Sequence, residues 1–357
     1  MTPPAATLDA RFALAVGEGP APDRPLLPVQ DPYRGDTAFW VARASAEDVQ
    51  SAVRLARAAL ADPLPAHRRS AVLDTAADLV DDAAEDLTRL LVREAGKPRR
   101  AAAGEVARTA ETLRWSAGEA LRITGEAIPL DAAAAGEGRL AFTLREPVGV
   151  VAAITPTNAP LNLAAHKVGP ALAAGNAVVL KPPDATPCTA LALRDLLLAA
   201  GLPAAWFSVV VGGGLGQALV ANPDVDLITF TGSVETGRHI RAAAGIRDVM
   251  LELGGNSPVI IHADADLDRA VGACTAKGFA GAGQACTSVQ RIIAHRDVAE
   301  EVARRLVAAV AELGDGDPDD PATTVASLRD DESADRVRSW VAEAVQRGAR
   351  LLTGGRR

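Results

Sequence analysis

Hydrophobic positions change their spacing near the middle of the chain. Within residues 45–121 they recur at every third or fourth position, which is typical of amphipathic helices. The first helix begins at Ser45, which has the spacing of a capping box with Asp48. A second is expected over about residues 65–95 and a third over about residues 101–121. The pattern predicts packing helices with charged outer faces.

After residue 147, short and continuously apolar runs alternate with helical segments. The runs are Val150–Ile154, Ala177–Leu180, Phe207–Val211, Leu227–Phe230 and Val249–Leu253. Buried strands separated by helices predict a parallel sheet that is covered on both faces, in a doubly wound α/β fold. Ligands of such sheets bind at the carboxyl ends of the strands.

A second α/β unit is predicted after Leu253. Its expected strands are Ser257–Ile261, Arg291–Ala294 and Arg350–Leu352, and its expected helices are Asp266–Ala280, Val298–Leu313 and Ser333–Arg347. Before the parallel sheet, Arg139–Arg145 alternates enough to be a strand. The first 35 residues are rich in Pro and Ala and are expected to be a loose lead-in with one short strand.

The amino-acid composition excludes several classes of protein for this chain. The chain has 357 residues, of which 48% are hydrophobic and 23% charged, and this balance excludes a disordered chain. A net charge of −8 argues against nucleic-acid and anionic membrane partners. No apolar run reaches the length of about 20 residues that a membrane span needs, and Met1–Ala10 lacks a signal-peptide pattern. Three scattered cysteines suit a reducing compartment, so we expect a cytoplasmic protein.

Polar residues follow the first two strands of the predicted sheet. Asn158 lies in a loop that begins with Thr155 and Pro156. Its amide could stabilise an oxyanion, or it could cap the helix that follows. Lys181 and Asp184 follow the second strand, where they could contact a ribose or phosphate or form a solvated turn.

Two further loops contain glycines that suit a ligand. The loop from Gly212 to Gly216 permits close approach of the backbone, but it lacks the G-x-G-x-x-G spacing of dinucleotide-binding loops. The next loop is better placed, because it follows a strand and opens a helix whose N–H groups suit a pyrophosphate; its residues are Phe230, Thr231, Gly232, Ser233 and Gly237.

Two candidate catalytic side chains lie further along. Glu252 is a single carboxylate in an apolar strand, so we expect a raised pKa and a role as general base, with a paired structural glutamate as the alternative. Cys286 lies in a loop of small residues that leaves space beside its sulfur. Cys188 and Cys274 are expected to be buried and structural. No cysteine or histidine has metal-ligand spacing, so we expect no metal site.

Taken in order, these segments resemble the aldehyde dehydrogenase superfamily. The resemblance runs from about Ser45 to the last residue. It rests on six landmarks, which are Glu146–Val150, the Asn158 loop, Lys181-Pro182, Phe230–Ser233, Leu251–Gly255 and Gly283–Cys286. The stretch Asn158–Lys167 is similar to the branch that oxidises lactaldehyde and phosphonoacetaldehyde.

The resemblance implies an oxidoreductase that converts a small-molecule aldehyde to its acid. Cys286 would attack the aldehyde, and Asn158 with the Cys286 backbone N–H would hold the oxyanion. Hydride transfer to NAD(P) would leave a thioester, and Glu252 would activate the water that hydrolyses it.

The family also implies where a dinucleotide binds. The cofactor residues would be Thr155, Pro156, Lys181, Asp184, Gly212, Gly216, Phe230, Thr231, Gly232, Ser233, Gly237, Leu253 and Gly254. The carboxylate of Asp184 would repel a 2′-phosphate, which favours NAD, with NADP as the alternative.

The implied domains are a helical N-terminal part of the cofactor domain, an oligomerisation arm, a Rossmann-like part and a catalytic domain. Their boundaries are residues 1–125, 126–147, 148–253 and 254–357. The arm implies a homodimer or homotetramer for an intact family member.

Two departures from the family pattern stand out. Ala285, directly before the candidate nucleophile, is apolar, which favours an uncharged or weakly charged aldehyde. Family members also continue for roughly another quarter of their length beyond Arg357, so we expect a C-terminally truncated chain whose activity is impaired or absent. Full-rate aldehyde oxidation by the purified chain would refute this.

Two other functions stay open at this point. One is an acylating relative that passes its thioester to coenzyme A. The other is a catalytically silent nucleotide-binding protein.

Overall fold

A computed structural model describes residues 11–13, 15–16 and 24–356. Met1–Ala10, where we expect no signal peptide, lie outside the described residues. The helices of the described chain are α1 Ala46–Ala59, α2 Ala66–Asp82, α3 Ala84–Ala95, α4 Arg99–Ala120, α5 Pro160–Ala173, α6 Cys188–Ala199, α7 Leu215–Ala221, α8 Val234–Ala244, α9 Leu267–Gly278, α10 Ala299–Ala311 and α11 Asp331–Gln346.

The strands belong to four sheets. They are β1 Arg11–Phe12, β2 Leu26–Gln30, β3 Thr37–Ala42, β4 Ala127–Ile128, β5 Ala141–Phe142, β6 Val150–Ile154, β7 Ala177–Lys181, β8 Phe207–Val209, β9 Leu227–Gly232, β10 Asp248–Leu253, β11 Ser257–Ile261 and β12 Val289–Ala294.

The central sheet is parallel and confirms the predicted α/β fold. Its five strands are ordered β10-β9-β6-β7-β8. The first four residues of the inner strands β6 and β7 are apolar and buried, as expected for strands that are covered on both faces, and the last residue of each strand is partly exposed. Helices α1, α7 and α8 form one contacting group, and α2 to α6 form another, so helices cover the sheet from two sides.

A smaller unit follows the central sheet. Strands β11 and β12 pair in parallel, and helices α9 and α10 pack on them around a core of Ile261, Val271, Cys274 and Val302. Along β11 the burial alternates, so Ile260 points to solvent. The predicted strand Arg350–Leu352 is wrong, because this segment pairs with no strand among the described residues and both leucines are exposed.

Smaller elements also differ from the sequence prediction. The helix expected over residues 65–95 is interrupted at Ala83, which leaves helical geometry and separates α2 from α3. Before α1, strands β1, β3 and β2 form a three-stranded sheet. Two of these strands, β1 and β2, lie in the first 35 residues, where one short strand was expected, and β3 follows them. The strand expected at Arg139–Arg145 is reduced to β5, which pairs with β4 in a short hairpin.

Across the described residues, no helix combines the length and apolarity that crossing a membrane requires.

Candidate active site

The sequence candidates come together at one edge of the central sheet. In the register of the ladders, Ile154 lies beside both Lys181 and Phe230, and Glu252 lies beside Thr231. These positions are the carboxyl ends of β6, β7, β9 and β10. Loops that are far apart in sequence therefore begin side by side, as expected for a ligand edge of a doubly wound sheet.

The predicted ribose-binding residues contact one another. The ammonium group of Lys181 lies 2.8 Å from Asp184 Oδ1, and the backbone N–H of Gly212 donates to the same oxygen at 3.2 Å. The two side chains are partly exposed. The Asp184 carboxylate therefore links the loop after β7 to the glycine loop after β8.

A cleft of about 610 Å³ opens between α7 and α8. Gly216 lies at this cleft, and the other lining residues are mostly apolar; they are Ile154, Gln217, Val220, Thr236, His239, Ile240, Ala242 and Ala243. An apolar cleft next to the glycine loop has the chemistry that a flat aromatic base requires.

The loop after β9 opens helix α8 as expected. Ser233 is the N-cap residue, and its hydroxyl accepts a hydrogen bond of 3.2 Å from the backbone N–H of Thr236. Phe230 and Thr231 are buried below it, whereas Ser233 is exposed. Gly237 is buried on α8, where an added Cβ would lie only 2.7 Å from Leu253 of β10. The end of β10, with Leu253 and Gly254, therefore borders this helix.

Asn158 does not cap helix α5, so that alternative is wrong. The N-cap residue is Ala159, and it makes no side-chain capping bond. The side-chain oxygen of Asn158 is buried and has no hydrogen-bond partner in the part of the chain that the structure describes, and the hydroxyl of Thr155 is in the same condition. Buried polar atoms without partners are costly and mark a place where a ligand group or water binds.

The surroundings of Glu252 differ from the expectation. Strand β10 lies at the edge of the sheet, and its burial alternates so that Glu252 is exposed on the same face as Met250. The apolar enclosure on which we based a raised pKa is absent among the described residues. Period-two alternation along an edge strand explains the difference, because only one face of β10 is covered.

Cys286 is exposed, whereas Cys188 and Cys274 are buried as predicted. A run of left-handed residues, Gly281, Ala282 and Gly283, precedes it. Among the residues that the structure describes, Ala282, with φ of 57°, is the one non-glycine residue in this strained region of backbone conformation. The turn directs the cysteine loop back toward the sheet, where a Cβ on Gly255 would lie 3.0 Å from the carbonyl oxygen of Cys286.

Gln284 ties the cysteine loop to a later segment. Its amide group donates to the carbonyl oxygens of Gly281 at 3.0 Å and Ser327 at 3.3 Å, and its oxygen accepts from the backbone N–H of Arg329 at 3.1 Å. The loop is thus held from both sides two residues before the cysteine.

Two charged residues near the site had not been identified from the sequence. Lys167 on α5 is buried, and its ammonium group donates to Thr229 at 3.0 Å. Burial lowers the pKa of Lys167 to about 8, against an opposing effect of the negative charge of Glu252. Glu105 on α4 is fully buried. Lys167 could have been noticed in the sequence, because it is a lysine inside the apolar helix that follows Asn158. No local sequence pattern marks Glu105.

Comparison with known proteins identifies the family. The sequence profile of the aldehyde dehydrogenase family matches residues 20–357. The chain belongs to the aldehyde dehydrogenase family.

Relatives in this family share most of the chain. A 3-sulfolactaldehyde dehydrogenase of Priestia megaterium is 45% identical over 333 residues, which are 93% of this chain and 70% of the relative. The NADP-dependent succinate-semialdehyde dehydrogenase of Escherichia coli is 40% identical over 92% of this chain and 69% of its own. The crystal structure of an NAD-dependent aldehyde dehydrogenase from Sinorhizobium meliloti superposes with a TM-score of 0.94 at 34% identity, covering 99% of this chain and 72% of that one.

Proposed function

We propose that this member of the aldehyde dehydrogenase family oxidises an aldehyde to its carboxylic acid with NAD or NADP, using Cys286 as nucleophile. The observation that carries the proposal is the position of the cysteine loop. Its backbone packs against Gly255, three residues beyond Glu252, and the sulfur-bearing residue is exposed while the other two cysteines are buried.

The residues at the sheet edge fit a dinucleotide. The apolar cleft between α7 and α8 suits the adenine, and the N-terminus of α8 at Ser233 suits the pyrophosphate. Lys181 and Asp184 would bind the ribose hydroxyls. The Asp184 carboxylate favours NAD, and the S. meliloti and E. coli relatives are named for NAD and NADP respectively. When bound, the dinucleotide would supply the hydride acceptor for oxidation of the substrate carbon from the aldehyde to the acyl level.

The chain's own residues supply the remaining steps. The Cys286 thiolate bonds to the carbonyl carbon after its proton has left to solvent, and the carbonyl oxygen becomes an alkoxide. The amide group of Asn158 donates a hydrogen bond to that oxygen. After oxidation, Glu252 takes a proton from water; the hydroxide adds to the acyl carbon, and the carbon–sulfur bond breaks to release the acid.

The substrate that we propose carries an acidic group. The names of the P. megaterium and E. coli relatives specify aldehydes with a sulfonate and a carboxylate. In this chain, the positive charges of Lys167 and Arg108 lie close together on the helices next to the Asn158 loop. Both are near enough to His166 to lower its pKa, although burial is the larger cause. An uncharged aldehyde, favoured by Ala285, is the competing outcome.

Substrate preference is tested with two aldehydes of equal chain length. We expect kcat/KM for succinic semialdehyde to exceed that for butanal. In Arg108→Met the KM for succinic semialdehyde should rise by about tenfold, the size expected for loss of one hydrogen bond to a charged group. Butanal should be unaffected. A higher kcat/KM for butanal in the wild-type chain would contradict the acidic substrate.

The reaction itself is tested with cysteine variants. Cys286→Ala should abolish aldehyde-dependent NADH formation, and the control Cys274→Ala should keep it. Acid release without coenzyme A supports hydrolysis, whereas a strict need for coenzyme A indicates the acylating alternative. Dinucleotide binding without any turnover in the wild-type chain would indicate the silent alternative.

A further inference from the structure

The start of helix α5 is capped by a residue from another helix. The backbone N–H groups of Leu161 and Asn162 both donate to Glu105 Oε1, at 3.0 and 3.1 Å. Glu105 lies on α4, more than fifty positions earlier in the chain. The N-cap residue of α5, Ala159, has no side chain that could make these bonds. A remote carboxylate therefore satisfies the first turn of the helix.

The second oxygen of this carboxylate is also engaged. Lys97, whose side chain is 11% exposed, forms an ion pair with Glu105 Oε2. Glu105 itself is completely buried. Both oxygens of a buried carboxylate thus have partners, so its position and orientation are fixed by α3–α4 on one side and by α5 on the other. A third contact joins the same helices, because the Thr112 hydroxyl donates to Asn162 Oδ1 at 3.2 Å.

The consequence concerns Asn158. Asn158 directly precedes the N-cap residue of α5, and its own side-chain oxygen is buried without a partner in the described chain. If Asn158 capped α5, its amide would be turned toward the helix. We propose that Glu105, held by Lys97, is a positioning residue that takes over the capping of α5 and so keeps the Asn158 amide aimed at the substrate oxygen. The inference rests on the proposed function, in which Asn158 stabilises the oxyanion.

Two double variants isolate the capping acceptor. Both replace the buried ion pair by side chains of similar size, but only one retains an acceptor oxygen. One combines Lys97→Met with Glu105→Gln and is called the glutamine pair. The other combines Lys97→Met with Glu105→Met and is called the methionine pair. Thr109→Val is the control, because it removes a buried 2.9 Å hydrogen bond to the Glu105 backbone and leaves the carboxylate contacts intact.

We expect the methionine pair to lower kcat by about ten- to a hundredfold, since misplacement of a positioned group by about 1 Å can cost that much. The KM for NAD should stay within about twofold, because the dinucleotide residues are not touched. The glutamine pair and Thr109→Val should keep kcat within about threefold of wild type. Equal kcat values for the methionine and glutamine pairs would overturn the proposal.

Asn158→Ala shows whether the effect passes through the amide. In the Asn158→Ala background, the methionine pair should cause no further loss of kcat, because residues that act as one unit are not additive. Additive losses would show that Glu105 acts on general stability.

Hydrogen exchange separates this inference from the proposed function. In the unliganded protein, the amides of Leu161 and Asn162 should exchange faster in the methionine pair than in the glutamine pair. Unchanged exchange would overturn the capping role. If Asn158→Ala kept its full rate while exchange behaved as expected, the cap would stand and the oxyanion role of Asn158 would fail. If the methionine pair did not fold, the glutamine pair and Glu105→Gln alone would give the comparison, since only the latter sets an amide N–H₂ against Lys97.

Discussion

Lys167 is a buried charged side chain that interacts electrostatically with Glu252 of the proposed site. It lies on α5 with 9% exposure and donates to Thr229 on β9. Burial disfavours the ammonium form, and the pKa falls to about 8. Below that pH, the folded protein holds a buried positive charge whose partner at longer range is Glu252.

Replacing this lysine should flatten the pH dependence of stability. In the unfolded chain, the Lys167 side chain keeps its proton up to about pH 10.4. Between pH 8 and about 10 the unfolded chain therefore binds more protons than the folded chain. The free energy of unfolding of wild type should therefore rise with pH across this window. Lys167→Met should be more stable than wild type at pH 7 by about 1–3 kcal/mol, an advantage that shrinks toward pH 10. Parallel urea-unfolding curves for both proteins over this window would contradict the assignment.

Glu94 on α3 shows the opposite dependence. The Glu94 side chain is buried and accepts hydrogen bonds from the backbone N–H groups of Cys188 and Thr189 and from the Thr189 hydroxyl. Its carboxylate thereby caps the start of α6. Burial raises its pKa to about 7, although these donors favour the carboxylate. The folded state then binds its proton more tightly than the unfolded state.

The stability due to Glu94 should be present below about pH 4.5 and lost as pH rises through 7. Glu94→Gln cannot ionise and should lack this fall, so wild type should lose about 1–3 kcal/mol relative to the variant between pH 5 and 8. Denaturant unfolding at four pH values measures it. A relative gain by wild type would show that the three donors outweigh burial.

The environment of a residue could be predicted where its position along a strand determines that environment. Lys181, Asp184 and Ser233 follow strands of one parallel sheet, so their meeting at one edge could be predicted. The surroundings of Glu252 could not, because they depend on β10 being an edge strand. The capping of α5 by Glu105 is a contact between distant segments, and no local pattern encodes it.

Among the elements, the cysteine loop has the most irregular backbone of the site. Three successive left-handed residues precede Gln284, which bonds to residues 281, 327 and 329. A Gly-Ala-Gly sequence permits this path, since the left-handed region favours glycine. The loop therefore depends on its glutamine for a fixed position.

Removing the side-chain hydrogen bonds of Gln284, which act as a clamp on the cysteine loop, should lower kcat more than it lowers the stability of the protein. We expect Gln284→Ala to lower kcat by about tenfold, because the nucleophile two residues later loses its fixed position. Gln290→Ala, which changes an exposed residue of β12, is the matched control and should keep the wild-type rate. Steady-state kinetics with thermal melts measure both. An unchanged kcat in Gln284→Ala would show that the loop is positioned without the clamp.

Elements were predictable in proportion to the regularity of their hydrophobic pattern. Strand β6 has the predicted limits and is apolar throughout, and β7 matches its predicted apolar run Ala177–Leu180 with one further residue, Lys181. Strand β3 has a β-forming sequence but was not predicted; it is short and directly follows the turn residues 31–36, and its sheet forms by pairing with β1 and β2. The interruption at Ala83 was missed because apolar spacing continues through it.

At the scale of the whole molecule, the β4–β5 hairpin presents an unusual amount of apolar surface. Its large exposed side chains are Ile128, Leu140, Phe142 and Leu144, and Leu140 is 87% exposed. A patch of this kind on a hairpin is typical of a contact surface between proteins. The oligomerisation arm and the homodimer or homotetramer that the family implies remain our prediction for this segment.

Charges on the hairpin should prevent self-association. We expect Leu140→Glu with Leu144→Glu to shift sedimentation of the chain from a dimer or tetramer to the monomer, at about the same thermal stability. Ile246→Glu changes a fully exposed apolar residue outside the hairpin and should leave the assembly intact. A monomeric wild type, or equal assembly of all three proteins, would contradict the role of the arm.

The central claim is that the substrate carbon becomes bonded to one sulfur. Mass spectrometry of Glu252→Gln after mixing with NAD and succinic semialdehyde tests it most directly, because loss of the general base should let the thioester accumulate. The account predicts an adduct on the peptide containing Cys286, with the mass of the aldehyde less two hydrogens. An adduct on Cys188, Cys274 or another residue, or NADH formation without any protein adduct, would contradict it.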